Sequence, residues 1–221
     1  MLSQANPEEK TDVTAENADD SRKAAILDAA AQLIAERGYH AVRIADIAQV
    51  VGTSTGTVHY YFPGKNDVLT AALKHSIDHA FSRQSVELKA IDDAHQRLLK
   101  LIDMQLPRVG PVREEWSVWI QFWAEAMIRP ELRPIHGAYY ERWRETIRRV
   151  VERGQRQQVF RTDVDPETIA HRLSALTDGM AIQVLTGTPN MTVSAMKEVL
   201  VEYIHDALIP RSPAVNRGES A

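Results

Sequence analysis

Between Arg22 and Gly38 the apolar residues Ile26, Ala30, Leu33 and Ile34 recur every three or four positions, and the run stops at the glycine. Such spacing places them on one face of a helix. Ser21 suits the capping position, with Asp19 and Asp20 near the positive end, so the pattern predicts a helix opening there. Short helices are predicted over 44–51 and 55–61, and Pro63-Gly64 interrupts before a longer one from Lys65 to near Ile91. Breaks at 107–114, 129–134 and 160–167 divide the helical pattern that follows. Asp165 and Pro166 open a helix carrying Ile169, Leu173, Leu176, Met180 and Val184 as far as Gly187. Another begins near Thr192 and carries Met196, Leu200, Tyr203 and Ala207. No stretch alternates with the period of two that a half-buried strand needs, and no repeat is visible, so the expected fold is all-α.

Composition narrows the class. At 221 residues and 44% hydrophobic content, the chain can bury a core in one or two domains. Its apolar runs fall well short of the ~20 residues of a membrane span, so no membrane partner is expected. The opening MLSQANPEEKTDV lacks the basic and apolar regions of a secretory signal, and a cytoplasmic, nucleoid-associated protein is expected. With no cysteine there is no disulfide, thiol nucleophile or thiolate metal site.

The net charge of −4 is unevenly spread. Residues 1–20 hold Glu8, Glu9, Asp12, Glu16, Asp19 and Asp20 against Lys10 alone, and read as a disordered acidic tail. Residues 22–89 hold eight Lys/Arg against six Asp/Glu, so an acidic mean leaves room for a local face that binds nucleic acid. The tail 210–221 is polar and expected to be loose.

The stretch GTSTGTVHYYFPGKNDVL (52–69) carries the densest candidate chemistry. Two helices that cross steeply need a small residue at the approach, a glycine where the turn takes positive φ, and an apolar plug on the second helix. Ala48, Gly52 and Val58 supply these in order, the pattern of a helix-turn-helix. Ser54 or Thr53 can cap the second helix, leaving Thr55, Thr57, His59 and Tyr60 outward, where a helix in a major groove meets base edges. Lys65 opens the next helix, whose free backbone N–H groups already favour an anion. The bland alternative is a helical hairpin with an ordinary glycine turn. A nucleotide P-loop is excluded, because Gly52 and Gly56 stand one residue too close, Thr57 replaces the lysine, and a helix precedes the turn.

The run ILDAAAQLIAERGYHAVRIADIAQVVGTSTGTVHYYFPGKNDVL resembles the DNA-binding domain of TetR-family bacterial transcriptional regulators. The resemblance implies base or phosphate contacts from Ser54, Thr55, Thr57, Tyr60 and Tyr61, and a phosphate contact from Lys65. His59 stands where tyrosine is usual, Arg43 replaces the usual Thr/Ser cap and can reach a phosphate instead, and Ala45 replaces a frequent arginine. WSVWIQFWAEAMIRPELRP and HRLSALTDGMAIQVLTG resemble the C-terminal domain of the BetI-type subgroup, named for a choline-responsive repressor. The implied architecture is a three-helix DNA-binding domain (21–66) followed by a helical ligand-binding and dimerisation domain (67–209), about nine helices in all. The implied function is a homodimeric repressor released from a palindromic operator by a small effector.

Trp116, Trp119 and Trp123 share one helix face with Phe122 beside them and Met127 beyond, and Tyr139, Tyr140 and Trp143 follow after a break. Aromatics at this spacing either fill a core or wall a cavity suited to a quaternary ammonium ion or a flat apolar ligand. Glu125 is a possible counter-ion, with a solvated position expected for it. The amphipathic helices 166–187 and 192–208 can pair with their copies as a four-helix bundle. The Arg-rich run ERWRETIRRVVERGQRQ reads as a solvated face with pairs Glu141–Arg144, Glu145–Arg148 and Arg149–Glu152. His75 and His79 share a helix face, but no third ligand is evident, and neither metal nor cofactor is expected. The other class to weigh is an α-helical enzyme or small-molecule carrier, with His136 or His171 as base; no nucleophile, base and orienting group stand at a recognisable spacing.

Overall fold

The structure, a computed structural model, describes residues 7–210, with side chains from Ala18 onward. Its elements are α1 (Pro7–Arg37), α2 (Ile44–Val51), α3 (Thr55–Tyr61), α4 (Lys65–Lys89), α5 (Ala94–Asp103), α6 (Pro111–Ile128), a 3-10 turn (Pro130–Leu132), α7 (Arg133–Arg156), α8 (Pro166–Thr186) and α9 (Val193–Leu208). The described residues are all-helical, as the patterning predicts, and none of their helices is long and apolar enough to cross a membrane.

The first helix begins at Pro7 rather than Ser21, so the acidic stretch read as disordered is helical from that point. Proline suits a first helical position. Extending a helix that is already nucleated costs little, so the segment needs no apolar face of its own. The remaining ends of the two expected tails, 1–6 and 211–221, lie outside the described residues.

The long helix ends at Lys89, within two residues of the expected end near Ile91, and Asp93 caps α5 by accepting the Gln96 N–H at 2.7 Å. The end signals of α8 are where the residues put them: Asp165 accepts from the backbone of Thr168 at 3.0 Å, and Gly187 takes φ 72°.

The chain divides into two compact units. The first holds the described residues up to Ser82 together with Glu114–Arg133. Its core includes Ile26, Ala30, Leu33 and Ile34 of α1, Ile47 and Ala48 of α2, Val58 of α3, and Leu69 and Leu73 of α4, all 3% exposed or less. Each fully buried Leu or Ile contributes ~1.5–3 kcal/mol through water release. The second holds Arg83–Arg113 and the described residues from Pro134 on. Leu98, Leu101, Ile147, Val151, Phe160, Leu173, Leu200 and Ile204 fill its interior.

Candidate functional site

The turn between α2 and α3 is built by local demands. Gly52 sits at φ 72°, ψ 38°, and an added Cβ would meet nothing within 4 Å. Backbone conformation, not crowding, is what calls for glycine here. The Thr53 N–H closes the end of α2 on the Ala48 carbonyl at 2.9 Å. Ser54 then caps α3, its Oγ accepting the Thr57 N–H at 3.1 Å. Ala48 and Val58 are buried, holding the two helices together. Arg43 occupies the cap of α2 without a hydroxyl, and Asp46 compensates by accepting the Arg43 N–H at 3.0 Å.

This packing turns one side of α3 outward. Thr55, His59 and Tyr60 are exposed, as are Ser54 and Arg43, and Tyr60 is 79% exposed with its ring edge-on to Tyr61. Thr57 is half-buried, with its hydroxyl 3.0 Å from that of Ser54. Tyr61 and Lys65 stand at the rim with intramolecular partners that sequence spacing did not signal. The Tyr61 phenol donates to Asp19 of α1 at 2.5 Å, and that bond raises its pKa, keeping the hydroxyl neutral. Lys65 Nζ donates to the His40 carbonyl at 2.8 Å, at the edge of the outward face.

The loop after α1 is tied to α6 within the same unit. Gln121 accepts the Tyr39 N–H at 3.3 Å, and His40 Nε2 lies 2.8 Å from Glu125. Arg129 Nη1 donates to the Tyr39 hydroxyl at 2.6 Å and stands 4.0 Å from Glu125. Glu125, expected in solvent, is only 3% exposed. One helical turn separates it from Gln121, so both face the same loop, and a carboxylate buried there needs the partners it has, Arg129 and the His40 ring.

The aromatic stretch separates by burial. On α6, Trp116 and Phe122 are buried, Trp119 and Trp123 are half-buried, and Met127 is 72% exposed. Trp119 packs against Phe122 with ring centroids 6.0 Å apart. On α7, in the second unit, Tyr139, Tyr140 and Trp143 are half-buried. The Tyr140 ring has the Arg144 guanidinium 5.9 Å from its centroid and the His136 ring at 5.0 Å. Burial lowers the pKa of His136.

The sequence reading missed Asp178 of α8. It is 7% exposed and accepts the Tyr140 hydroxyl at 2.5 Å. Ser174 and Thr177, on the same face, are 3% and 1% exposed, and their hydroxyls find no hydrogen-bond partner among the described residues. The available signal was three polar residues at buried positions of a stripe otherwise made of Leu173, Met180 and Ala181.

Burial raises the Asp178 pKa from 3.8 to about 6, and the Tyr140 bond only partly offsets this. A carboxyl whose folded pKa is raised stabilises fully below its unfolded value and loses that contribution as pH rises through the folded one. Asp178→Asn is therefore expected to stabilise the protein by ~3 kcal/mol at pH 7.5 and to be near neutral at pH 4. Urea denaturation at the two pH values measures the difference; equal effects at both would contradict it.

The Arg-rich run of α7 pairs with its own glutamates. Arg144 meets Glu141 at 2.6 Å and Arg148 meets Glu145 at 2.6 Å. Arg149 pairs back to Glu145 at 2.5 Å, and Glu152 is taken by Arg148 instead of Arg149. Glutamate one turn before arginine is the better orientation along the dipole. His75 bonds Asp28 of α1 at 2.8 Å.

Comparison with known proteins gives two family matches. Residues 26–72 match the bacterial regulatory proteins of the tetR family, and residues 94–209 match the C-terminal domain of BetI-type transcriptional repressors. The HTH-type transcriptional regulator BetI of Vibrio atlanticus is 25% identical over 86% of this chain and 92% of its own. BetI of Burkholderia mallei is 27% identical over 86% of this chain and 95% of its own. Among solved structures, a transcriptional regulator from Saccharomonospora viridis in complex with choline is 46% identical with a TM-score of 0.81, covering 87% of this chain and 99% of that one.

Proposed function

Because the chain belongs to the TetR family of bacterial transcriptional regulators, with a C-terminal domain of the BetI type, we propose that it works as a homodimeric repressor. Its operator would be palindromic, with half-sites one helical turn or ~34–36 Å apart, as a two-fold dimer requires. The observation that carries this reading is the outward side of α3: Thr55, His59 and Tyr60 stand clear of the core that Ala48 and Val58 anchor. Ser54, Thr57 and Tyr61 complete that side, with Arg43 and Lys65 as phosphate contacts at its rim. Self-association would use α8 and α9, where Leu176 and Val184 stay half-exposed and Val199 is 41% exposed. Catalysis by His136 or His171 is set aside, since the families matched are regulators.

The effector would be a small organic cation of the choline kind. The choline complex of the Saccharomonospora viridis relative supports this, as does the cation already held against Tyr140. Effector and operator then oppose each other through a reciprocal coupling of ~1–3 kcal/mol, or about 5–150-fold in affinity. Footprinting on DNA upstream of the chain's own gene tests the reading. A protected palindrome that choline releases supports it, and the absence of any protected palindrome removes it.

Lys65→Ala is expected to weaken binding to all duplexes alike and to lower the slope of log Kobs against log salt by ~1. Fluorescence anisotropy across a salt series measures this; a loss confined to one operator would show that Lys65 reads bases.

A further inference from the structure

Resting on the effector reading above, we propose that Asp178, Tyr140, Ser174 and Thr177 form the polar end of a binding site for an alkylammonium alcohol in the second unit. Asp178 is the counter-ion of its cationic head, and the Thr177 and Ser174 hydroxyls are the partners of its alcohol.

Three observations converge on this. Ser174, Thr177 and Asp178 lie within little more than one turn of α8, on one face, and all are at least nine-tenths buried. Folding has removed their polar atoms from water, a loss that a hydrogen bond or a counter-charge ordinarily offsets. Here the offset is incomplete. Asp178 has one donor, the Tyr140 hydroxyl, and no ion-pair partner among the described residues, while Ser174 Oγ and Thr177 Oγ1 have none.

What the cluster lacks is one positive charge and one small hydroxyl. A metal ion fits poorly, since no group of three or more His/Asp/Glu is assembled among the described residues. A phosphate or carboxylate would be repelled by Asp178. An organic cation suits the aromatic neighbour as well, because the Tyr140 ring already accepts the Arg144 guanidinium at 5.9 Å. Keeping an aspartate where burial disfavours its charged form fits a role in which a ligand supplies the missing cation.

Calorimetric titration of the full-length protein tests this with choline, its uncharged isostere 3,3-dimethylbutan-1-ol, and tetramethylammonium. The wild-type chain should prefer choline to the isostere by about ten-fold or more, and Asp178→Asn should erase that preference by weakening choline alone. Thr177→Val, close in shape, should weaken choline several-fold and leave tetramethylammonium unchanged. Equal wild-type affinities for choline and its isostere would overturn the proposal without recourse to any variant. So would an Asp178→Asn protein that keeps its preference, or a wild-type chain that binds operator but no ammonium compound. Failure of the wild-type chain to bind any operator would instead count against the regulator reading.

Discussion

Gly154→Ala is expected to destabilise the protein by ~3 kcal/mol, although alanine is the better helix former by ~1 kcal/mol in an open position. Gly154 lies inside α7, where the Phe160 ring packs directly on its backbone. A Cβ there would stand 2.0 Å from Phe160 Cδ2 and 2.5 Å from Cε2. The ring has no easy retreat. Phe160 is 1% exposed, and the N–H groups of Val159 and Phe160 both donate to the Gly154 carbonyl, at 3.0 and 3.1 Å. Beyond it, the Arg161 N–H is fixed to the Leu208 carbonyl at 2.8 Å. For a chain of this length the loss corresponds to a fall in Tm of about 6–12 °C, which calorimetry reads directly. Adding Phe160→Leu should recover part of it by making room. An unchanged Tm for Gly154→Ala alone would show that the ring does not sit on that helix.

Arg129→Ala is expected to cost ~2–3 kcal/mol and to weaken operator binding as well, since one side chain serves two buried groups. It donates to the hydroxyl of Tyr39, which is 2% exposed, and its guanidinium stands 4.0 Å from Glu125. Truncation leaves the phenol without that donor and the carboxylate with His40 alone, itself 79% exposed. The loop 38–40 would loosen, and with it the Lys65 ammonium that His40 holds by its carbonyl. Adding Glu125→Gln should restore part of the stability, because a buried amide needs no cation. If the single variant stays within ~0.5 kcal/mol of the parent, this network does not brace the loop.

Legibility in the sequence followed the range of the forces involved. The helix pair at 44–61 was readable because its determinants are local: a left-handed glycine, a capping serine, and two apolar positions a turn or so apart. The start and stop of α8 were readable for the same reason. The acidic N-terminal segment misled because a helix continued from a packed one needs no amphipathic pattern. Glu125 misled because α6 buries a polar face against a loop some ninety residues earlier in the chain, a pairing that periodicity cannot announce. Tyr61 and Lys65 stand at the rim of the outward side, and their partners Asp19 and the His40 carbonyl belong to tertiary contacts that spacing does not announce. Asp178 went unnoticed because its buried surroundings, not its residue type, make it chemically unusual.

The orientation of α3 on DNA is the claim on which the functional account stands, and a binding-site selection comparing the parent with Thr55→Ala tests it most directly. Thr55 is exposed at the start of α3, and loss of a base contact there is worth ~1–3 kcal/mol of discrimination. The account predicts a palindromic consensus for the parent chain and relaxed preference at one symmetric pair of positions for the variant. An identical consensus from both proteins, or no consensus from the parent, would contradict it.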